Sequence, residues 1–564
     1  MCPSHLVGLT FLFVPVGDPG SNAAKGYPRE TIKDSRRTEP HRSFEKPSMP
    51  TNYNDLRDAL KQGFERGACS SLTFRRAQLV ALVAMLEDHK DEAVAALASD
   101  MGRPAAEAGG EVAVSIREAK DAASSLERWS APEPKPVHLM MQPSHAAVRR
   151  SPYGACLIIG PYNYPLMLCL EPLIGAIAAG NATLLKPSEL TPATAAFLEK
   201  RIPAYLTAEA CRVVTGGVEV SQALLATQWD FIYFTGSPRV GRIVAKAAAE
   251  HLTPTALELG GKAPAVVLSS ADVGEAARRI VNAKALNVGQ TCIAPDYVLV
   301  DRSQHTALVA ALTAEMRAMF GDEPHASPDL GRMCTVGHFD RMAKLLAESG
   351  GTQRRVGSAP PDREGKYMPL TLIDSPPSGS PLLREEIFGP LLPVVTFDSF
   401  DEAVETIRGI DSTPLALYVF TADTAAAESL LQRVQSGTAV VNDCVLQHMC
   451  HSLPFGGVGT SGHGVCHGEW SFQTFTFPRS VLWRHAKFDV DQTVPVPARH
   501  AAASGGGARR AKLLEALILH GPYLSLPGGR SLLLLLAGAA AFVASPYLAL
   551  AALAGAVTVV VAGR

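Results

Sequence analysis

The chain has no excess of charge of either sign. Its 52 lysines and arginines stand against 54 aspartates and glutamates over 564 residues, so nothing electrostatic points to nucleic acid as a partner. Cysteines are few for the length, 10 in all, and show no tight pairing pattern, which suits a reducing compartment better than a disulfide scaffold. No basic segment precedes the first apolar run, residues 6–16, and that run carries Gly8 and Pro15; a cleaved secretory signal is therefore not expected. Charged residues make up only 19% against 47% hydrophobic, the balance of a globular protein with an additional apolar segment. The length exceeds that at which one hydrophobic core stops growing, so two or three domains are expected.

What is present follows a clear order. Residues 1–50 are rich in Pro, Ser, Arg, Lys and Glu after the first apolar run, which predicts a disordered tail. Residues 54–129 repeat apolar positions at three and four and predict helices covering a sheet. Pro132, Pro134 and Pro136 break the pattern, and 137–150 reads as an extended hairpin outside the domain. Short apolar runs at 155–159, 182–185, 212–214, 231–234 and 265–268 then alternate with helical stretches. Such strands predict a parallel sheet buried on both faces, with ligands at the carboxyl ends of the strands. A second α/β pattern from about 260 to 462 has strands at 297–300, 392–397 and 415–420, which puts a cleft between two domains.

One cysteine stands apart. Cys292, in Asn287-Val288-Gly289-Gln290-Thr291-Cys292-Ile293-Ala294-Pro295-Asp296-Tyr297, lies between a helix predicted over 276–286 and the strand at 297–300, where a side chain can face a cleft. A thiol there is a candidate nucleophile, needing only modest help from its neighbours. Its company is Leu257-Glu258-Leu259-Gly260-Gly261-Lys262, Pro161-Tyr162-Asn163-Tyr164-Pro165 and Glu385-Glu386-Ile387-Phe388-Gly389-Pro390. Phe234-Thr235-Gly236-Ser237-Pro238-Arg239-Val240-Gly241 is a glycine turn from strand to helix, where backbone amides attract a pyrophosphate, although its spacing departs from G-x-G-x-x-G. Lys186-Pro187-Ser188-Glu189 follows another strand. A cysteine and histidine set, Cys444, His448, Cys450, His451, His463, Cys466 and His467, fits no common zinc-finger spacing, and no metal is expected. Asn181-Ala182-Thr183 matches a glycosylation acceptor but opens a predicted core strand, so it is discounted.

These motifs, in this order, resemble those of the aldehyde dehydrogenases. The Gln-Thr-Cys-Ile-Ala-Pro-Asp-Tyr form of the cysteine loop and Leu453-Pro454-Phe455-Gly456-Gly457-Val458-Gly459 look like the class 3 branch that includes fatty aldehyde dehydrogenase. The likeness spans residues 53–481. It implies an α/β aldehyde dehydrogenase fold with a Rossmann-like dinucleotide-binding domain at 51–130 and 151–258 and an α/β catalytic domain at 259–465. A small oligomerisation hairpin at 131–150 and 466–490 implies a homodimer. The resemblance further implies Cys292 as nucleophile, the Asn163 amide as oxyanion donor and Glu258 as general base. Lys186 and Glu189 would hold the adenine ribose, and a carboxylate there favours NAD over NADP, with NADP also admissible. Gly236, Ser237, Gly241 and Leu259 would line the cofactor, Glu386 would take the nicotinamide ribose and Phe388 would pack at the nicotinamide.

Beyond a glycine-rich stretch, Ala501 to Gly507, residues 491–530 read as a linker followed by an amphipathic helix at 511–520. Residues 532–562 then hold 31 positions without a charge, divided by Pro546, where about 20 suffice to cross a bilayer core. A C-terminal transmembrane anchor over 531–563 is expected, its catalytic part in the cytosol and the endoplasmic reticulum the expected membrane. Arg509, Arg510, Lys512 and Arg530 before it agree with the positive-inside tendency. The expected substrate is a long-chain aliphatic aldehyde. The alternatives are an apocarotenoid aldehyde of a pigment pathway, or a non-catalytic membrane protein on the same fold.

Overall fold

The computed structural model describes residues 52–138, 141, 144–484, 519 and 523–524. The tail, the linker and the charge-free run 532–562 read from the sequence lie outside the described residues, apart from Leu519, Tyr523 and Leu524 of the linker. Among the described residues, no helix is long and apolar enough to cross a membrane.

Four helices open the described chain: α1 (Tyr53–Glu65), α2 (Leu72–Asp88), α3 (Lys90–Met101) and α4 (Ala105–Ser130). Three short strands follow, β1 (Glu133–Lys135), β2 (Val137–His138) and β3 (His145–Pro152). An alternating run comes next: β4 (Ala155–Ile159), α5 (Met167–Ala179), β5 (Ala182–Lys186), α6 (Pro192–Tyr205), β6 (Cys211–Val213), α7 (Val218–Leu225), β7 (Phe231–Gly236), α8 (Pro238–Glu250) and β8 (Thr255–Leu259). A second run holds β9 (Pro264–Val267), α9 (Val273–Ala285), β10 (Tyr297–Asp301), α10 (His305–Phe320), α11 (Val336–Ala347), β11 (Thr352–Arg355), β12 (Thr371–Asp374), β13 (Leu391–Phe397), α12 (Phe400–Ile410), β14 (Ala416–Phe420), α13 (Thr424–Arg433) and β15 (Thr438–Val441). The last elements are β16 (Gly462–His463), α14 (Gly468–Thr474), β17 (Thr476–Trp483) and β18 (Tyr523–Leu524).

The first run forms a sheet in the order β16-β8-β7-β4-β5-β6, parallel except for β16. Its strands are apolar throughout because both faces are covered. In β4, Leu157 and Ile159 enter the core beneath α1, α7 and α8, while Cys156 and Ile158 enter the core shared with α2, α4 and α5, the period-two alternation of a pleated strand. The second sheet runs β11-β12-β13-β10-β9-β14-β15, parallel except for β11. A three-stranded antiparallel sheet joins β1, β3 and β17, with β3 and β17 paired from Pro152–Thr476 to His145–Trp483. Tyr523 and Leu524 pair with β2.

Two readings change. The run at 265–268, grouped by alternation with the first sheet, is β9 in the middle of the second. Only Gly260 to Ala263 separate it from β8, so the chain leaves one sheet and enters the other across the two glycines. β8 itself escaped notice because Glu258 interrupts its apolar pattern, although the strand is buried. Asn181, discounted as a glycosylation acceptor, is a satisfied core amide: its side chain accepts from Gly154 N at 2.9 Å and donates to Phe475 O at 2.9 Å.

Candidate active site

The order of the first sheet reverses at β4, which has β5 on one side and β7 on the other. A crevice forms at such a switch point, outside the carboxyl ends of the strands. Here it is a cleft of about 1070 Å³ lined by segments that follow β4, β5, β7 and β8, and by residues of the second run. Asn163, Glu258 and Cys292 all line it, as do Lys186, Glu189, Gly236, Ser237, Leu259, Glu386 and Phe388. Gly241 does not. It sits within α8, where an added Cβ would fall 2.6 Å from Leu259 Cδ2, so it serves close helix–strand packing and makes no cleft wall.

Cys292 is aimed by a turn that most sequences avoid. Asn287, Val288 and Gly289 have φ of 48°, 55° and 72°, and a β-branched residue at positive φ is costly enough to need outside support. The support is a net of amide bonds. Asn287 Nδ2 donates to Asn163 O at 2.8 Å and to Gln290 O at 3.0 Å. Gln290 Nε2 donates to Arg332 O at 3.1 Å, and its Oε1 accepts from Cys334 N at 2.9 Å. Tyr164 Oη and Thr291 Oγ1 lie 2.8 Å apart. Asn163 and the cysteine loop are thus tied through one another, and Arg103 also donates to Asn163 O. Burial pushes the Cys292 thiol well above its usual range, and the charges of Glu386 and Glu258 add to the effect.

Glu258 is buried on β8, in register with Thr235 on one side and Gly462 on the other. Neither of its carboxylate oxygens has a hydrogen-bond partner among the described residues, and burial raises its pKa well above the carboxylate range. A carboxyl tuned upward in a cleft is suited to taking a proton near neutral pH. Glu386 accepts from Gly261 N at 3.3 Å; burial and then the nearby Asp296 push it up to about 8.

The turn that carries Glu386 and Phe388 is pinned by residues the sequence motifs did not flag. Lys262 Nζ pairs with Asp296 and donates to Leu382 O at 2.8 Å and Glu385 O at 3.0 Å. Asp296 Oδ1 in turn accepts from Ile387 N at 3.0 Å. Lys262 and Asp296 belong to two different motifs, and their meeting across 34 positions leaves no local signal.

A dinucleotide fits what lines the cleft. Ser237 caps α8, its hydroxyl accepting from Val240 N at 3.4 Å, and the helix start with Pro238 presents the amide end that favours phosphate. Lys186 Nζ, buried, donates to Glu189 Oε2 at 2.9 Å, a paired cation and carboxylate of the kind that holds ribose hydroxyls.

The cysteine and histidine set is partly gathered by the fold. The ring of His467 lies 4.7 Å from that of His448 and 5.2 Å from that of His451, centroid to centroid, and Cys466 is its neighbour in the chain. His463 instead bonds Thr255 Oγ1 at 2.8 Å, Cys450 is exposed beside Ser452 and Cys444 is buried elsewhere.

Comparison with known proteins agrees with this geometry. Residues 49–481 match the sequence profile of the Aldehyde dehydrogenase family. The chain is 40% identical over 433 residues to aldehyde dehydrogenase family 3 member H1 of Arabidopsis thaliana, covering 76% of this chain and 89% of that protein. It is 37% identical to the 4,4'-diaponeurosporen-aldehyde dehydrogenase of Staphylococcus aureus, covering 77% and 94% respectively. Among solved structures, a substrate-bound Staphylococcus aureus AldH superposes with a TM-score of 0.78 at 35% identity, over 82% of this chain and 99% of that one. A profile match over residues 49–481 and relatives of 37–40% identity covering most of both chains, on this doubly sheeted frame, establish that the chain belongs to the aldehyde dehydrogenase family and is an NAD(P)-dependent enzyme of that family.

Proposed function

We propose that this enzyme oxidises long, water-insoluble aliphatic aldehydes to carboxylic acids, with NAD as the preferred acceptor. The observation that carries the reading is that Asn163, Glu258 and Cys292 line one cleft with Lys186, Glu189 and Gly236. When bound, the dinucleotide supplies the hydride acceptor; Lys186 and Glu189 would hold its adenine ribose, the start of α8 its pyrophosphate, and Glu386 and Phe388 its nicotinamide end. The chain's own residues do the rest. Cys292 Sγ adds to the aldehyde carbon, its proton passing to Glu258. The Asn163 amide and the Cys292 N–H donate to the oxyanion so formed, a contribution of about 2.7–4 kcal/mol per donor. Once a thioester stands on Cys292, Glu258 takes a proton from water and the acid is released.

The preference for long chains rests on what surrounds the inner end of the cleft. Val441, Leu446, Met449, Leu453 and Val458 are exposed, on the stretch whose His448 and Phe455 line a small cavity with Cys292 and Glu258. The charge-free run 532–562 is an apolar segment of a length that suits a bilayer. Together they support a membrane-associated enzyme facing the cytosol, on the endoplasmic reticulum, taking substrate from the lipid phase. Edge strand β17, with Phe477 and Leu482 exposed, supports a homodimer. The Staphylococcus aureus relative named for a carotenoid-derived aldehyde favours a second substrate reading, an apocarotenoid aldehyde. Rates of NAD reduction by membranes bearing the protein, with hexadecanal and with an apocarotenal, separate the two. Cys292→Ser must abolish both rates; turnover that survived it would refute the mechanism.

A further inference from the structure

Behind Glu258 lies a group of buried acids and imidazoles with no part in the chemistry above. Glu118 of α4 and Glu171 of α5 are each 1% exposed and His467 is wholly buried. Neither oxygen of Glu171 nor either nitrogen of His467 has a hydrogen-bond partner among the described residues, and the same holds for Glu118 Oε2. Glu118 Oε1 accepts from Gly468 N at 3.2 Å. His448 Nε2 lies 3.9 Å from Glu171 Oε1, and burial keeps that ring neutral. Burying carboxyls with no cation to compensate them is expensive, and apolar residues of like volume would be more stable. Their presence calls for a use.

Geometry suggests the use. One polar atom each from Glu118, Glu171 and His451 lies within 4.8 Å of the other two, and the same is true of Glu171, Cys466 and His467. A cavity of about 20 Å³, lined by Glu171, Glu258, Cys292 and His448, exceeds the roughly 10–15 Å³ that one water needs. His451 is only half-buried, with Asp121 and Arg117 near it. A continuous series of proton-carrying groups therefore runs from Glu258, through a water-sized space, to Glu171, Glu118 and the surface at His451.

We infer that Glu171 and Glu118, with the His448, His467 and His451 rings beside them, form a proton conduit that drains Glu258 to the surface. Glu171 and Glu118 are positioning residues in this scheme, acting on the chemistry through Glu258. The inference rests on the assignment of Glu258 as base. Conversion of aldehyde, water and oxidised dinucleotide to carboxylate and reduced dinucleotide releases two protons per turnover, both from water in the balance, because the proton the thiol gives up on attack is returned when the thiolate leaves the thioester. Each forms an O–H bond on Glu258, breaks from it in favour of the cavity water, passes between the carboxyls and leaves His451 for bulk solvent. The carboxyls are suited to this relay, since burial pushes Glu118 up to about 7 and Glu171 higher, with the charges of Glu118 and Glu258 adding to the latter. Burial holds His448 down at about 4 and His467 at about 2, so these rings are neutral and add no cation to the acids. Tyr233 and Cys466, whose pKa values burial raises, stay protonated beside them.

The test uses the full-length enzyme with hexadecanal and NAD. Glu171→Gln and Glu118→Gln should each keep the single-turnover burst of NADH and slow steady-state turnover by about 10²-fold. They should also show a larger solvent deuterium effect and partial rescue by added formate or imidazole. Loss of the burst in Cys292→Ser reports on the nucleophile separately, so failure of the conduit and failure of the mechanism are distinguishable. Wild-type turnover and pH profile in both variants would overturn the inference, as would a stoichiometric metal in the purified protein whose removal abolishes activity. If neither variant folds, a proton inventory on the wild-type enzyme decides: a curved dependence on deuterium fraction supports a multi-proton path, and a linear one refutes it.

Discussion

Replacing Lys262 by methionine would remove one charge from the ion pair that joins the nucleophile loop to the cofactor turn. The pair is buried on both sides, with Lys262 and Asp296 each 3% exposed. The change keeps an unbranched apolar stem but leaves the Asp296 carboxylate without its cation, and it orphans the carbonyls of Leu382 and Glu385, now 2.8 and 3.0 Å from Nζ. Breaking a buried pair by removing one partner costs about 3–5 kcal/mol. At the roughly 2–4 °C per kcal/mol found for domains of 150–250 residues, apparent melting should fall by on the order of 10 °C. The damage is directional as well. The ties lost are those of Lys262 Nζ to Leu382 O and Glu385 O, just before Glu386 and Phe388, while Cys292 keeps its own amide net. The expected kinetic result is a rise in KM for NAD that exceeds the fall in kcat. Melting by differential scanning fluorimetry and NAD titration of steady-state rates measure both. A variant melting within about 1 °C of wild type, with KM unchanged, would refute the assignment of that pair as the link between the two loops.

Gly289→Ala should lower kcat sharply with little change in NAD affinity, since φ is 72° and the new Cβ would lie 2.4 Å from Gly389 O; NADH burst amplitude is the readout. Stability should fall as pH rises from about 6.5 to 8, because Glu118 at about 7 and Glu386 at about 8, with Glu171 and Glu258 also raised, keep protons in the fold that the unfolded chain releases. Below about 6.5 the depressed His448 and His467 act in the opposite sense, and Glu118→Gln should flatten the alkaline limb in a pH series of thermal melts. Glu189→Gln should raise the use of NADP relative to NAD by removing like-charge repulsion at the Lys186 pair, as read from the ratio of kcat/KM values. Leu446→Ser with Leu453→Ser should weaken oxidation of hexadecanal and spare a short aldehyde such as propanal, because both side chains are exposed on the stretch whose His448 and Phe455 line the inner cavity.

Legibility varied with how local each signal was. The strands of the first sheet appeared as unbroken apolar runs because both faces are buried, and the cysteine loop, the glycine turn and the Lys186–Glu189 pair each occupy a short stretch of chain. β8 was hidden because Glu258 sits in its middle, and β9 was grouped with the wrong sheet because alternation counts strands without saying which sheet they join. Gly241 read as a cradle for phosphate, yet it provides space for Leu259. The cysteine and histidine set fits no metal spacing in the sequence, and the fold gathers three of its imidazoles, in edge and tilted contact, beside two acids contributed by α4 and α5.

By itself the order of residues determined the two α/β runs and singled out Cys292, Asn163 and Glu258 as candidates, since each depends on a period or a motif a few positions long. Only the tertiary structure decided that Asn163, Glu258 and Cys292 share a cleft, that Lys262 meets Asp296, and that Glu118 and Glu171 stand behind the base without a cation. Contacts between distant positions are chosen by which faces must be buried together, and burial, which sets the acidity of Glu258 and Glu171, is a property of the packed chain and not of any segment of it.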